Sequence, residues 1–162
     1  MNRCLQFRER LLVTGCAFRC KVTADFGDNI YSFVLDCSSD PHGSLSFKVV
    51  EPDEISGISG TIRAGKGKLE YEDAVLAFPL LADGEISPVS APWVLINTLR
   101  SGYMVSYGKD GEGILLNLRD SFDEDPLELD VWFDQNGSPV QADILWQGRR
   151  AVSIVVEDFC FV

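Results

Sequence analysis

Residues 16–37 decide the fold class, and they read CAFRCKVTADFGDNIYSFVLDC. Every second residue of 16–26 is apolar, and the same alternation returns over residues 31–37 after Gly27-Asp28-Asn29. A period of two places side chains alternately on the two faces of a strand, and Gly, Asp and Asn favour tight turns. The stretch therefore predicts a hairpin of two half-buried strands. Its apolar members are Cys16, Phe18, Cys20, Val22, Ala24, Phe26, Tyr31, Phe33, Leu35 and Cys37.

Further strands are predicted in both the first and the second half of the chain. Residues 44–49 alternate around Phe47, and shorter strands are predicted at 60–63, 68–71 and 74–78, separated by turns at 65–67 and 72–73. The last third predicts strands at 104–107, 113–119, 127–134, 140–147 and 151–160, with turns at 109–111, 123–126, 136–137 and 147–148. Turns this short make neighbouring strands antiparallel. The clearest inward-facing residues of this part are Leu129, Val131, Ile144 and Trp146.

Two helices are predicted. Residues 5–12 form the first, with Leu5 and Leu12 on its apolar edge and Gly15 after its end. Residues 91–100 form the second, with Ser90 as the N-cap and Pro92 in the first turn, where its missing N–H is harmless. The second helix presents the apolar stripe Trp93, Ile96 and Leu99.

Roughly ten strands and a single crossing helix exclude a parallel α/β fold, which needs a helix between most strands. We predict a mainly β (α+β) protein, in which a strongly curved antiparallel sheet or half-open barrel is covered by an N-terminal helix and one internal lid helix. The length predicts one domain over residues 1–162. Its parts are the N-terminal helix at 1–14, the first strands at 16–82, the lid helix at 90–101 and the closing strands at 103–161.

The charge of the chain argues against a nucleic-acid-binding protein, and its hydropathy argues against a membrane-spanning one. The chain has 25 acidic and 14 basic residues, a formal net charge of -11, and such a charge repels nucleic-acid phosphates. The uncharged stretch 74–82 contains Pro79 and is much shorter than the roughly 20 residues of a spanning helix. We expect no nucleic-acid partner and no membrane-spanning segment.

Catalytic and metal chemistry have little support in the residues. His42 is the one histidine, no two of the five cysteines form a C-x-x-C pair, and the acidic run 120–125 lacks the spacing of a calcium loop. Asp36, Asp130 and Asp143 lie on the polar phase of their strands, which predicts that they face water. We therefore predict no catalytic residues, no metal and no cofactor. The cysteines are either buried free thiols or, for Cys20 and Cys37, a bridge formed in an oxidising compartment.

The order of the elements resembles a known superfamily. Residues 43–52, GSLSFKVVEP, followed by ISGI at 55–58, resemble its strand that ends in a proline turn. Residues 139–144, PVQADI, followed by 152–161, resemble its closing strand pair. The superfamily is that of the periplasmic lipoprotein carriers and receptors, the LolA-like and LppX/LprG-like proteins. The resemblance implies a half-open barrel whose helical lid holds acyl chains, located outside the cytoplasmic membrane and tethered by a segment absent from this sequence.

The leading hypothesis is a non-catalytic cell-envelope domain that binds a lipid, an acyl chain or a lipoprotein in an apolar cavity. The alternative is a structural or protein-interaction domain whose barrel is filled by its own side chains and whose surface meets another envelope protein. An enzyme is a third and weaker reading. The predicted ligand-binding residues are Phe18, Val22, Phe33, Phe47, Trp93, Leu129, Val131, Ile144 and Trp146.

Overall fold

The computed structural model describes residues 2–25, 27, 29–71, 74–79, 81–82 and 85–162, without the side chains of residues 71–86. Phe26, Asp28 and the predicted turn at 72–73 lie outside the described residues. The chain contains two helices, α1 (Asn2–Val13) and α2 (Ala91–Ser101). The strands are β1 (Cys16–Asp25), β2 (Ile30–Ser39), β3 (Leu45–Glu51), β4 (Ser59–Arg63), β5 (Lys66–Tyr71), β6 (Ala74–Pro79), β7 (Leu81–Ala82), β8 (Glu85–Ile86), β9 (Tyr103–Asp110), β10 (Gly113–Arg119), β11 (Leu127–Phe133), β12 (Pro139–Trp146) and β13 (Arg149–Phe161). Strands β1 to β8 lie between the two helices in sequence, and β9 to β13 follow α2.

One large antiparallel sheet dominates the fold. Its 11 strands run in the order β6-β5-β4-β3-β2-β1-β13-β12-β11-β10-β9, and β7 pairs with β8 in a separate two-stranded sheet. Apart from the pairing of β1 with β13, each strand of the large sheet pairs with its neighbour in sequence, as hairpin-length connections require. Strands β6 and β9 form the two edges, so the sheet is not closed. The prediction of a mainly β, half-open barrel with two helices is confirmed.

The core lies on one face of this sheet because the register aligns apolar positions across many strands. Val22 of β1 lies opposite Ile154 of β13, Ile154 lies opposite Ala142 of β12, and Ala142 lies opposite Val131 of β11. All four residues have an exposed fraction of 0%. Directly opposed side chains of this kind are the basic unit of sheet stability.

Both helices bury side chains in this core. Helix α1 buries Cys4, Phe7 and Leu11, and α2 buries most of its residues from Ala91 onward. The predicted edge of α1 was wrong: Leu5 is 45% exposed and Leu12 is 49% exposed. The helix begins earlier than predicted, and the spacing of Cys4, Phe7 and Leu11 by three and four residues places those side chains on one face.

The start of α2 differs from the prediction. Ser90 has φ -85 and ψ -11, and its hydroxyl makes no capping hydrogen bond. A short 3-10 turn, Pro88–Ser90, precedes the helix, and the Ser90 hydroxyl donates to the carbonyl oxygen of Ser87 at 2.6 Å. Ser90 directly precedes α2, as predicted, but it does not cap the helix, because the chain already has helical backbone angles at Ser90, whereas a capping residue has extended ones.

Several turns were predicted one or two residues away from their observed positions. The turn between β4 and β5 is formed by Ala64 and Gly65, so Lys66 already belongs to β5, and the turn between β9 and β10 is at 111–112. The hairpin β7–β8 was not predicted. No described helix combines the length and hydropathy that a membrane crossing requires.

We predict opposite outcomes for two valines of β13. Val152 is 1% exposed on the inner face, whereas Val155 is 44% exposed on the outer face. Val152→Ala removes two buried methyl groups and leaves a cavity, so it should lower the free energy of unfolding by about 2 kcal/mol. Val155→Ala should change it by less than about 0.5 kcal/mol. Urea unfolding measures both, and equal losses would contradict the assignment of the inner face.

Candidate functional site

The inner face of the large sheet brings together the residues that the sequence suggested for ligand binding. Phe18 lies opposite Cys37, which lies opposite Phe47, so the two phenylalanines share one row across the sheet. Leu129 lies opposite Ile144, one row from Val131. Six of the nine residues are buried. They are Phe18, Val22, Phe47, Leu129, Val131 and Ile144.

The other three predicted residues are half-buried aromatic side chains that pack against the core. Phe33 of β2 lies opposite Val22, and Trp146 ends β12 opposite Leu127. Trp93 lies in the first turn of α2. The buried face therefore reaches solvent at Phe33, Trp93 and Trp146.

Helix α2 covers part of the inner face, and hydrogen bonds hold it to the rim of the sheet. It contacts β10, β13 and α1. The indole N–H of Trp93 donates to the carbonyl oxygen of Gly43 at 3.0 Å, and the Arg100 guanidinium donates to that of Pro41 at 2.7 Å. Gly43 has φ +92, a left-handed backbone angle that favours glycine.

Arg8 of α1 holds the C-terminal end of the same helix. Its Nε donates to the carbonyl oxygen of Leu99 at 2.7 Å, and Nη2 donates to that of Thr98 at 3.4 Å. The last carbonyls of a helix have no partners within the helix and attract a cation. Burial lowers the pKa of the Arg8 guanidinium from its usual value, but an arginine remains charged at neutral pH. The two helices are therefore joined by a charged cap.

The packing of α2 also leaves two polar groups unsatisfied. Within the described residues, Thr98 Oγ1 and Arg100 Nε are buried without a hydrogen-bond partner. Burying such a group without a partner costs about 1–3 kcal/mol. This cost offsets part of the stabilisation that α2 gains by burying Leu95, Ile96 and Leu99.

A second aromatic cluster, which the sequence analysis missed, lies beneath α1. The ring of Phe7 lies 5.3 Å from that of Phe133, 5.3 Å from that of Phe159 and 5.2 Å from that of Phe161. The Arg10 guanidinium lies over the Phe161 ring, 4.0 Å from its centroid. The period-two spacing of Phe159 and Phe161 at the end of β13 was a usable signal for this cluster.

Two cavities adjoin α1. The first, of about 290 Å³, lies between α1, the β11–β12 turn and the end of β13, and Arg3, Arg10 and Phe161 are among its lining residues. The second, of about 570 Å³, lies between the start of α1 and the β9–β10 hairpin, and Lys109 and Glu112 are among its lining residues. Neither cavity is lined by any of the nine predicted ligand-binding residues.

The polar groups of the described residues offer no assembled metal site, since no group of three or more His, Cys, Asp or Glu is placed to hold an ion.

The prediction that Asp143 faces water was wrong: it is buried, accepts a hydrogen bond from the Ser153 hydroxyl at 2.9 Å, and lies 3.7 Å from the Arg150 guanidinium. Asp130 accepts a hydrogen bond from the Asn117 amide, and Asp36 pairs with Arg19 at 2.7 Å.

The cysteines are free thiols, and four of the five are buried. The sulfur atoms of Cys20 and Cys37 lie 3.8 Å apart on neighbouring strands. Burial, and to a lesser extent the nearby Cys160 thiol, raises the pKa of Cys16 to about 12. Burial also raises the pKa of Cys4 and of Cys37. Because only the thiolate is reactive, these cysteines are chemically protected.

Known structures share this fold at low sequence identity. A conserved protein from Thermus thermophilus matches with a TM-score of 0.55 and 11% identity, over 99% of this chain and 86% of that one. A domain described as outer-membrane lipoprotein-sorting, from Vibrio parahaemolyticus, matches with a TM-score of 0.53 and 9% identity, over 98% and 90% of the two chains.

A third match is a chain in the structure of the CwlD amidase from Clostridioides difficile in complex with the GerS lipoprotein. It has a TM-score of 0.51 and 13% identity, over 98% of this chain and 93% of that one. No protein-family model matches the sequence, and no curated protein matches it either. The predicted resemblance is confirmed for the fold alone, which this chain shares with the domain described as lipoprotein-sorting.

We predict that one thiol reacts in the folded protein. Cys160 is exposed, whereas Cys4, Cys16, Cys20 and Cys37 are buried. A disulfide reagent such as Ellman's reagent at pH 8 should modify Cys160 at once and the other four only after unfolding in urea. Cys160→Ser should remove the fast reaction. Fast modification of two or more thiols in the native state would contradict the observed burial.

We predict that Arg8 stabilises the packing of α2. Arg8→Met keeps an unbranched side chain but removes the side-chain donor of the Leu99 carbonyl, whereas the Thr98 carbonyl still accepts from the Gly102 N–H at 2.7 Å. The free energy of unfolding should fall by about 1.5–3 kcal/mol, as for other hydrogen bonds to charged groups. Arg149→Met, at the exposed start of β13, is the matched control and should cost less than about 0.5 kcal/mol. Similar losses in urea unfolding for the two variants would argue against the cap.

Proposed function

We propose that residues 1–162 form one non-catalytic cell-envelope domain that binds the apolar part of a lipid, an acyl chain or a lipoprotein. The binding site is the inner face of the half-open barrel, beneath α2. The main support is the way in which α2 covers that face. The helix is held by hydrogen bonds at its rim, from Arg8, Trp93 and Arg100, and it buries two unsatisfied polar groups.

The fold supports the same class of function. The Vibrio parahaemolyticus domain of the same fold is described as lipoprotein-sorting, and the Clostridioides difficile complex includes a lipoprotein. We therefore place this domain outside the cytoplasmic membrane. Anchoring through a segment outside the given sequence belongs to the same proposal.

The energetics of the apolar face explain how binding would work. In the free protein, the inner face is covered by its own helices, and Val22, Leu129 and Ile144 are fully buried. An acyl chain gains about 0.8 kcal/mol for each CH₂ group removed from water. A chain of ten such groups therefore gains about 8 kcal/mol, which acts against the cost of moving α2. Phe33, Trp93 and Trp146, which are half-buried, are the first contacts that an entering chain would meet.

The second candidate function is a structural or protein-interaction domain with a self-filled core. The burial of six predicted ligand-binding residues favours it. Strand β9 also favours it, because it is an edge of the sheet and exposes Tyr103, Val105 and Tyr107. An unpaired, apolar edge can accept a strand from another protein.

Phe33→Ala distinguishes the two functions. Because Phe33 is half-buried, the substitution should lower the free energy of unfolding by less than the roughly 3–5 kcal/mol lost at a tightly packed phenylalanine. It should weaken the binding of a fluorescent fatty acid by at least about tenfold, since burying a phenylalanine ring contributes about 1.5–3 kcal/mol. Urea unfolding and probe displacement by palmitate are the measurements.

Glu128→Gln is the control for this experiment, because Glu128 pairs with Arg119 at 3.6 Å on the outer face. It should leave probe affinity within about twofold of the wild type, since exposed ion pairs contribute little. A wild type that binds no probe, together with a full core-sized loss for Phe33→Ala, would exclude the carrier function. Native mass spectrometry before and after delipidation would then show no apolar adduct.

A further inference from the structure

We infer that the cavity of about 290 Å³ beside α1 is a second binding site, which takes a small amphiphilic anion: a carboxylate or phosphate joined to a short apolar group. The cavity is separate from the inner face under α2, so this inference is independent of the proposed function. Its lining includes Arg3, Phe7, Arg10, Ser138, Phe159 and Phe161. Arginine and aromatic side chains therefore line one small space.

The apolar half of the site is a rigid aromatic floor. The rings of Phe159 and Phe161 lie 5.3 Å apart in an edge-to-face arrangement, and each packs against Phe7. Each such ring pair contributes about 0.5–1.5 kcal/mol beyond the area it buries, which fixes the positions of the rings. A short alkyl or aryl group could be buried against this floor without rearrangement of the fold.

The polar half of the site consists of guanidinium groups with unused donors. The Arg10 side chain stacks on Phe161 and makes no hydrogen bond or ion pair within the described part of the chain. Arg3 uses Nη1 to donate to the carbonyl oxygen of Gln135 at 2.8 Å, and its other N–H groups have no described acceptor. A guanidinium presents five donors in a planar fork that matches a carboxylate or phosphate. Both arginines therefore have donors available to an anion in the cavity.

The charge distribution makes this site unusual in the molecule. The whole chain has a formal net charge of -11, yet α1 contains three arginines and a single glutamate. An acidic protein repels anions in general, so the arginines of α1 provide a local attraction against a repulsive background. The neighbouring cavity of about 570 Å³ shares Arg3 in its lining, but there Lys109 and Glu112 take the place of Arg10 and the phenylalanines.

The size of the cavity restricts the ligand. Its volume of about 290 Å³ lies at the lower limit of small-molecule sites, which occupy about 300–1,000 Å³. The site is too small for a whole phospholipid. It fits a short-chain fatty acid or an alkyl phosphate, with the anionic group at the arginines and the apolar group on the phenylalanine floor.

Isothermal titration of the full chain with octanoate and with octyl phosphate tests the inference. Both should bind saturably at one site, whereas neutral octanol and inorganic phosphate, each lacking one half of the ligand, should bind at least about tenfold more weakly. Arg10→Gln and Arg3→Gln should each raise the Kd for octanoate by about tenfold or more. Arg149→Gln removes the same charge at the opposite end of β13 from Phe161 and should change the Kd by less than about twofold.

Other outcomes would overturn the inference. They are the absence of saturable octanoate binding, unchanged affinity in both arginine variants, and inorganic phosphate binding as tightly as octyl phosphate. Arg10→Gln removes the stacking on Phe161 and could unfold the protein for that reason. In that case Arg10→Lys replaces it in the experiment, because a lysine keeps the positive charge above the ring. That variant should still weaken octanoate binding, because a lysine lacks the planar fork. A shift of the Arg10 Nε–H signal in NMR spectra on adding octanoate locates the ligand, and no shift would place it elsewhere.

Discussion

The structure depends on one constraint: an unclosed antiparallel sheet with an apolar face must cover that face. Cross-strand pairing aligns Val22, Ile154, Ala142 and Val131 into a continuous apolar row. Because the sheet does not close, β6 and β9 remain as edges and no opposing strands cover the inner face. The two helices supply the cover instead. Their apolar residues pack inward, while Arg8 and Arg100 hold the backbone at the ends of the covered region.

This arrangement links stability to function. Every contact that buries the inner face in the free protein competes with a ligand for the same surface. Above the proposed binding site the cover is α2, which is held by a few hydrogen bonds and, within the described residues, contains two buried polar groups without partners. Local opening of such an element costs less than global unfolding. A filled interior in the free state is therefore compatible with a carrier, provided that α2 is the element that moves.

Local patterns in the sequence predicted the strands well because a period of two is repeated over many residues. They placed turns less well, since a shift of one residue, as at Lys66, leaves the alternation unchanged. The face of α1 was misassigned because Leu5 and Leu12 are more apolar than Cys4, although the spacing of Cys4, Phe7 and Leu11 was a usable signal for the buried face. The cavity beside α1 is lined by three segments that are distant in sequence, so no local sequence pattern predicts it.

The most direct test of the central claim, that an apolar chain binds beneath α2, is photo-cross-linking with a diazirine-labelled palmitate followed by peptide mapping. The account predicts adducts on α2 and on inward-facing residues such as Phe33 and Trp146, and competition by unlabelled palmitate. Adducts confined to the exposed residues of β9, such as Tyr103 and Tyr107, or the absence of any competed adduct, would contradict it.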